Sequence, residues 1–508
     1  MSWVQPPHTL GAVPEALVVS ALRQCLGREL AQRRMRAQRG SLPWDPARPA
    51  VLVVSHEAST TGAPILSLNL GQALAERHTV VHLVLAGPGP LSPALAEHSH
   101  WLLHSGGPLL LPGAWQRALR LLPRQLRFRY ALVNSVVAFS ALEPLRRHGI
   151  AGLCLVHEFA AYVRPPLAPT QAYLEAGLWA HRLIFSAAIT WQDARRHWPQ
   201  LAHLPVRLLP QGQSQPPQQS ATEAADLPTA LAHLQPRLRP HTQLVLGAGA
   251  VQPRKGVDLF IAMAHELERR APNPDRLYLW LGGGYRPDSD LEVSVWLHDQ
   301  IERSGLSNQL QILEAHDAYA WLIQRCDLFV LSSRLDPLPN VAIDTLRAAK
   351  PLLAFERASG IAELLASDPL LARHALAPYL DPAAMARQAE RILAEPALAA
   401  ALASCSQALA QRHFQMDDYV AALEVLGEEA HQTLQWEQAE LEALITLPEP
   451  IDRPFQGLPR RWSQRHLLHH HLRQWRSRVL PRKPRPGFHP GIYAERMMAP
   501  GQQQDPLL

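Results

Sequence analysis

Ser332-Ser333-Arg334-Leu335-Asp336-Pro337-Leu338-Pro339-Asn340-Val341-Ala342-Ile343-Asp344 carries two carboxylates with seven residues between them, directly after the short apolar run 327–331. Such a run, ending in serines, reads as a buried strand of a parallel sheet that opens onto a loop. Asp336 then belongs to the loop. Asn340 is placed to cap a helix and Asp344 falls about one turn inside it, so both acids can face the crevice beyond the sheet's carboxyl edge. Carboxylates that accept two hydrogen bonds suit ribose and sugar hydroxyls, and the N–H groups at the helix start suit a phosphate. The competing reading of two acids at this spacing is a solvated helix face.

The same alternation of strand and helix extends in both directions. Leu244-Val245-Leu246-Gly247-Ala248-Gly249 is a strand running into small residues, and Val251-Gln252-Pro253-Arg254-Lys255-Gly256-Val257-Asp258 leads into a helix with apolar positions Val257, Phe260, Ile261, Ala264 and Leu267. Small residues such as Gly249 let the backbone approach a ligand, and Arg254 and Lys255 place fixed positive charge where a diphosphate would lie. Leu277–Leu281 is a further strand ending in Gly282-Gly283-Gly284, a turn of low specificity by itself, and Pro351–Phe355 is followed by Ser359-Gly360-Ile361-Ala362-Glu363. In the amino half, Val51–Val54 precedes a loop containing His56, Glu57 and Gly62, after which Leu66, Leu70 and Leu74 mark a helix. Gly152–Val156 is a strand running into His157-Glu158. A histidine at a strand end is commonly a hydrogen-bonded structural residue, but this edge of the sheet is also where a ligand would sit.

Asp336-Pro337-Leu338-Pro339 and Val341-Ala342-Ile343-Asp344 resemble the Glu, seven residues, Glu signature of retaining glycosyltransferases of family 4 (glycosyl transferases group 1), with both glutamates shortened to aspartate. The resemblance implies a GT-B fold: two Rossmann-like α/β domains with parallel sheets facing a cleft. It implies that Arg254 and Lys255 hold the diphosphate of a nucleotide-sugar donor, that Asp336 holds the donor sugar's hydroxyls and Asp344 the ribose, and that His157 lies near the reactive carbon. Arg254, Lys255, His157 and Asp336 are therefore the expected catalytic residues. Donor contacts are expected from Gly62, Gly249, Gly283, Pro339, Asn340, Val341, Asp344 and Gly360. Ser359 stands where the family usually has a further glycine. No cofactor or metal is implied, since the cations can replace magnesium and no Asp-x-Asp motif sits at a plausible donor site.

With 508 residues, 47% hydrophobic and 18% charged, the chain fits two α/β domains plus extensions. The expected division is a helical amino-terminal extension over 1–48, with a basic helical stretch from Ala21 to Arg39; a Rossmann-like acceptor-side domain over 49–210; and a polar, Pro-rich linker over 211–240. A nucleotide-sugar domain over 241–411, a crossover helix over 412–435 and a basic extension over 436–508 follow. Cys25, Cys154, Cys326 and Cys405 show no metal spacing and read as ordinary thiols. No run approaches the twenty apolar residues of a bilayer span, and the amino terminus lacks the order of a secretion signal, so a cytoplasmic protein is expected. Within 460–485, Leu468, Leu472, Trp475 and Val479 share a helical face with arginines around it, which suits either an anionic membrane surface or packing on the domains. Nucleic acid is not expected, because no recognition module accompanies the basic tail. The function implied is transfer of a sugar from a nucleotide-diphosphate donor to a glycan or lipid-linked acceptor, in cell-surface polysaccharide or lipopolysaccharide synthesis. The alternatives are a non-catalytic nucleotide-sugar-binding or scaffold relative, or another GT-B enzyme such as an inverting transferase or an epimerase.

Overall fold

The structure is a computed structural model that describes residues 35–106, 118, 120–160, 177–217, 229–314 and 318–445. Its core consists of two sheets. The first contains β1 (Arg36–Arg39), β2 (Ala50–Ser55), β3 (Thr79–Val84), β4 (Trp101–His104), β5 (Phe128–Asn134), β6 (Ala151–Val156), β7 (Arg182–Phe185) and β8 (Val206–Leu208). Their spatial order is β1-β4-β3-β2-β5-β6-β7-β8, parallel apart from the β1 edge. The second contains β9 (Gln243–Ala248), β10 (Arg276–Leu281), β11 (Leu310–Leu313), β12 (Leu328–Leu331), β13 (Leu352–Phe355) and β14 (Leu376–Ala377), in the parallel order β11-β10-β9-β12-β13-β14.

Strands such as β2, β3, β6 and β10 are buried along their whole length, as expected where helices cover both faces of a parallel sheet. In each sheet the winding direction reverses once, between β2 and β5 in the first and between β9 and β12 in the second. A doubly wound sheet opens a crevice at that reversal, outside the carboxyl ends of the strands. The loops after β2, β5, β9 and β12 are therefore the places where a ligand can reach the backbone. Gly62, Arg254 with Lys255, and Asp336 follow β2, β9 and β12 at these places, and Asn134 is the last residue of β5.

The chain crosses between the sheets twice, and the crossings touch. The N–H of Gln213 donates to the carbonyl of Phe414 at 2.9 Å, and a Cβ on Gly212 would lie 2.7 Å from Cα of Met416. Beyond the second crossing, a helix over Met416–Ile445 lies on the first sheet. Its Tyr419, Val420, Leu423, Ala430 and Leu434 join the core formed by Val51, Val53, Tyr130, Leu132 and Leu153. Gly427 lets the helix approach Tyr130, whose ring would be 2.6 Å from an added Cβ. Ion pairs of Glu424 with Arg77 (2.7 Å), Glu437 with Arg146 (2.7 Å) and Glu429 with Arg182 (2.8 Å), together with the Arg129–Glu428 pair, fix its register. This helix runs ten residues past the expected end at 435.

Two boundaries differ from the sequence expectation. Arg36–Arg39 is a strand rather than the end of a helix, because the open edge of β4 offers backbone partners from Trp101 to His104, and Arg39 stacks over the Trp101 ring. The linker ends before 240, since Leu231 and Leu234 are buried in the core of the second sheet. The basic segment 460–485, Cys25 and the Ala21–Arg34 stretch lie outside the described residues. Cys154 and Cys326 are buried free thiols, and Cys405 is a half-buried one. Among the described residues no single helix is long and apolar enough to cross a membrane.

Candidate donor site between the sheets

The loop after β9 tightens into a short turn over Pro253–Lys255, and Gly256 then takes φ +69° before the helix α1 (Val257–Arg270) begins. A Cβ at Gly256 would lie 2.0 Å from the carbonyl oxygen of Ser332, so only glycine lets this turn seat against the loop after β12. The seating brings the opposite charges together. Nζ of Lys255 donates to Oδ2 of Asp336, Nη1 of Arg254 lies 3.3 Å from Oδ1, and Oγ of Ser333 donates to Oδ2 at 3.2 Å. Asp336 is 4% exposed and Lys255 9%, whereas the Arg254 side chain remains about one-third exposed at the mouth. Gly249, at φ +143°, packs against the aliphatic stem of Lys255 and sets its direction.

The Asp336 loop is stitched to the loop after β13. Asp336 N–H donates to the carbonyl of Ala358 at 2.9 Å and Gly360 N–H to that of Pro337 at 2.7 Å. Ser359, in place of the family's glycine, caps the helix α2 (Gly360–Leu365) by accepting from the N–H of Ala362 at 3.2 Å. Gly360 itself is needed for a close approach, since its Cβ would lie 2.4 Å from Cβ of Ala187 in the other domain. At the same contact Glu363 accepts from the N–H of Ala188 at 3.0 Å, and burial pushes its carboxyl above the usual range.

Asn340 is the first residue of the helix α3 (Asn340–Arg347) rather than its cap. Pro339 holds the capping position and no side chain caps the first N–H groups. The Asn340 side chain turns to the linker, where Oδ1 accepts from Nε2 of Gln211 at 2.5 Å. Its Nδ2 is 3.2 Å from where a Cβ on Gly62 would stand, so the glycine loop of the first sheet lies against the start of this helix. Val341 is half-buried against the second core.

Asp344 does not join the Arg254, Lys255 and Asp336 cluster. Its Oδ1 accepts from Nε2 of Gln213 at 2.6 Å and its Oδ2 from the Tyr319 hydroxyl at 2.8 Å. Burial raises its pKa, and the two hydrogen bonds oppose the shift only in part. His157 follows β6, with Nε2 2.8 Å from Oδ1 of Asn134, and burial lowers its pKa. His56 and Glu57 pair with each other at 3.6 Å in the loop before Gly62. Gly283 has Oε2 of Glu314 3.3 Å from a would-be Cβ, whereas Gly282 carries the tighter demand, 1.8 Å from the carbonyl oxygen of Gly249. Among the described residues no three His, Cys, Asp or Glu side chains converge as a metal-ligand group.

Asn134, Gln211, Gln213, Tyr319, Ser333 and Glu363 were not expected at the site. Asn134 was within reach of sequence reasoning, because it ends the apolar strand beside the first sheet's reversal. Gln211 and Gln213 sit in the polar, Pro-rich segment whose composition signals only a linker.

Residues 233–408 match the family model of glycosyl transferases group 1. Mannosylfructose-phosphate synthase of Agrobacterium fabrum is 29% identical over 111 residues, which is 22% of this chain and spans only 24% of that relative's length. Sucrose-phosphate synthase from Thermosynechococcus elongatus superposes with a TM-score of 0.58 at 18% identity, covering 76% of this chain and 100% of the other. Anabaena HepE in complex with UDP-glucose does so with a TM-score of 0.56 at 16% identity, over 74% and 99% of the two chains. The resemblance read from the acidic motif is thereby borne out: the chain has the GT-B fold, and its residues 233–408 match the glycosyl transferases group 1 family.

Proposed function

We propose that the protein is a retaining glycosyltransferase that moves a hexose from a nucleotide-diphosphate donor to a glycan or lipid-linked acceptor, as in cell-surface polysaccharide or lipopolysaccharide synthesis. The observation that carries this reading is the meeting of Arg254 and Lys255 with Asp336 at the reversal of the second sheet, with the glycine loop of the first lying against the nearby helix start at Asn340. Breaking the bond between the sugar carbon and the diphosphate leaves negative charge on the leaving phosphate. Cations and N–H donors already in place stabilise that charge without reorganising. Arg254, Lys255 and the uncapped start of the helix at Asn340 supply them, with no metal required. Asp336 would hold the sugar's hydroxyls, His157 would position the ring, and the leaving phosphate would take the acceptor's proton. UDP-glucose is the first donor to try, and segment 460–485 is the part of the sequence suited to a membrane-borne acceptor.

A thermal-shift screen of the full chain against UDP-, GDP-, ADP- and dTDP-sugars identifies the donor, because a tight ligand raises stability by mass action. Lys255→Ala should then lower turnover by roughly 10²- to 10³-fold, the scale of losing one preorganised donor to a developing oxyanion. Transfer at the parent rate would defeat the assignment. The engagement of Asp344 by the chain's own Gln213 and Tyr319 favours a second reading, a relative that binds the nucleotide sugar without transferring it. Donor stabilisation with neither hydrolysis nor transfer would select that one.

A further inference from the structure

Asn134 ends β5 at the reversal of the first sheet, and its amide is oriented by chemistry alone. One of its polar atoms lies 2.6 Å from the carbonyl oxygen of Ala63 and 2.8 Å from Oγ of Ser67. A carbonyl only accepts, so that atom is the nitrogen and the amide oxygen points the other way. The oxygen meets Nε2 of His157 at 2.8 Å. An amide oxygen also only accepts, so Nε2 must carry the proton. The ring's second nitrogen is left as a lone-pair acceptor.

The strand ends on which these two residues sit are held unusually firmly. Ser135, the residue after Asn134, is fully buried and takes φ +85° and ψ 144°, a conformation that persists in a residue other than glycine only where its surroundings over-determine it. The surroundings are the Glu158 carboxylate. It accepts from Oγ of Ser135 at 2.5 Å, from the N–H of Val136 at 3.2 Å and from the N–H of His157 at 3.1 Å, which ties the ends of β5 and β6 together. The titratable groups facing His157 are Glu158 and, from the loop after β2, His56. Burial outweighs the pull of Glu158 and keeps the ring neutral near pH 7.

We propose that Asn134 is a positioning residue that fixes His157 as the Nε2–H tautomer, so that the ring meets a donor-sugar hydroxyl as a hydrogen-bond acceptor through Nδ1. The proposal rests on the sugar-transfer reading for the hydroxyl, whereas the tautomer follows from the hydrogen bonds alone. A sugar hydroxyl that reaches Nδ1 has to donate, which sets how the sugar ring is turned over the diphosphate cations.

The test is long-range proton–nitrogen correlation on the full chain with nitrogen-15-labelled histidine rings, with His157→Gln identifying the signal. The parent should show His157 protonated at Nε2 and bare at Nδ1 from about pH 7 to 8. Asn134→Ala should mix or invert the tautomer and lower kcat/KM for the nucleotide sugar at least tenfold. Asn134→Asp keeps an acceptor beside Nε2 but adds charge, so it should retain the Nε2 proton and bring a doubly protonated ring into view at higher pH than in the parent. An Nδ1–H tautomer in the parent, or a tautomer unmoved by Asn134→Ala, overturns the assignment. A moved tautomer with unchanged kcat/KM overturns the positioning role. If the parent transfers no sugar from any nucleotide donor, the transfer reading falls and the role at Nδ1 falls with it, while the spectrum still decides the tautomer.

Discussion

Asp336→Asn separates binding of the diphosphate from transfer of the sugar. The substitution keeps the shape of a 4%-exposed side chain and removes its charge, so that Lys255, itself 9% exposed, faces a neutral amide. Leaving a buried charge without its partner costs about 3–5 kcal/mol. The amide oxygen still accepts from Lys255 and the part-exposed Arg254 can turn to water, which argues for the low end, about 3 kcal/mol. At about 2–4 °C per kcal/mol for a domain of this size, the unliganded variant should melt roughly 6–12 °C lower. A nucleoside diphosphate should reverse part of that loss. In the parent it has to compete with Asp336 for both cations, and in the variant it does not, so UDP should bind more tightly. A tenfold gain corresponds to about 1.4 kcal/mol of additional ligand-induced stabilisation at saturation. Sugar transfer should nevertheless fall by about 10- to 100-fold, the worth of a charge-assisted hydrogen bond of about 1.5–3 kcal/mol to a hydroxyl. Calorimetric titration with UDP, melting curves with and without it, and a transfer assay read the three quantities independently. UDP that binds the variant no better than the parent would show that Arg254 and Lys255 are not the diphosphate site.

Asp344→Asn carries a pH-dependent sign. Because burial raises the folded-state pKa of Asp344, its contribution to stability is fully present below the ordinary carboxylate value of about 4 and is lost as pH rises through the folded value. The amide variant, which cannot ionise, should therefore gain in melting temperature over the parent at pH 8 and show no such gain at pH 4; an equal difference at both would disprove the burial argument. Gly256→Ala places a Cβ 2.0 Å from the Ser332 carbonyl at φ +69°, so it should cost at least about 1–2 kcal/mol from the left-handed backbone alone, and more from the clash. Its melting curve should drop and its UDP affinity weaken together, since the same contact seats Lys255 against Asp336.

The sheets were legible because their strands are buried on both faces and read as short continuous apolar runs, each followed by a glycine- or serine-containing loop. The Arg254, Lys255 and Asp336 cluster was legible for the same reason, since every member sits within a few residues of a strand's carboxyl end. What could not be read was the direction in which a side chain turns once it has partners from distant sequence. Asp344 has the spacing of a ribose ligand, yet the partners it meets are Tyr319, from a separate helix, and Gln213, 131 residues away. Asn340 has the identity of a helix cap, but Pro339 takes that position and the freed amide reaches Gln211. The register of β1 likewise depended on an open edge of β4 that no local pattern in Arg36–Arg39 announces.

The two aspartates each stand one methylene back from where glutamates would reach, and each is met by side chains of the same chain: Asp336 by Arg254, Lys255 and Ser333, and Asp344 by Tyr319 and Gln213. At Asp344 one partner, Gln213, comes from the first crossing between the sheets, and its backbone also holds the second crossing through Phe414. The nearby Gln215 N–H in turn donates to Oδ1 of Asn69 at 2.5 Å, on the helix that begins at Gly62. A short run of linker, Gln211 to Gln215, thus ties the acidic motif of one sheet to the glycine-loop helix of the other.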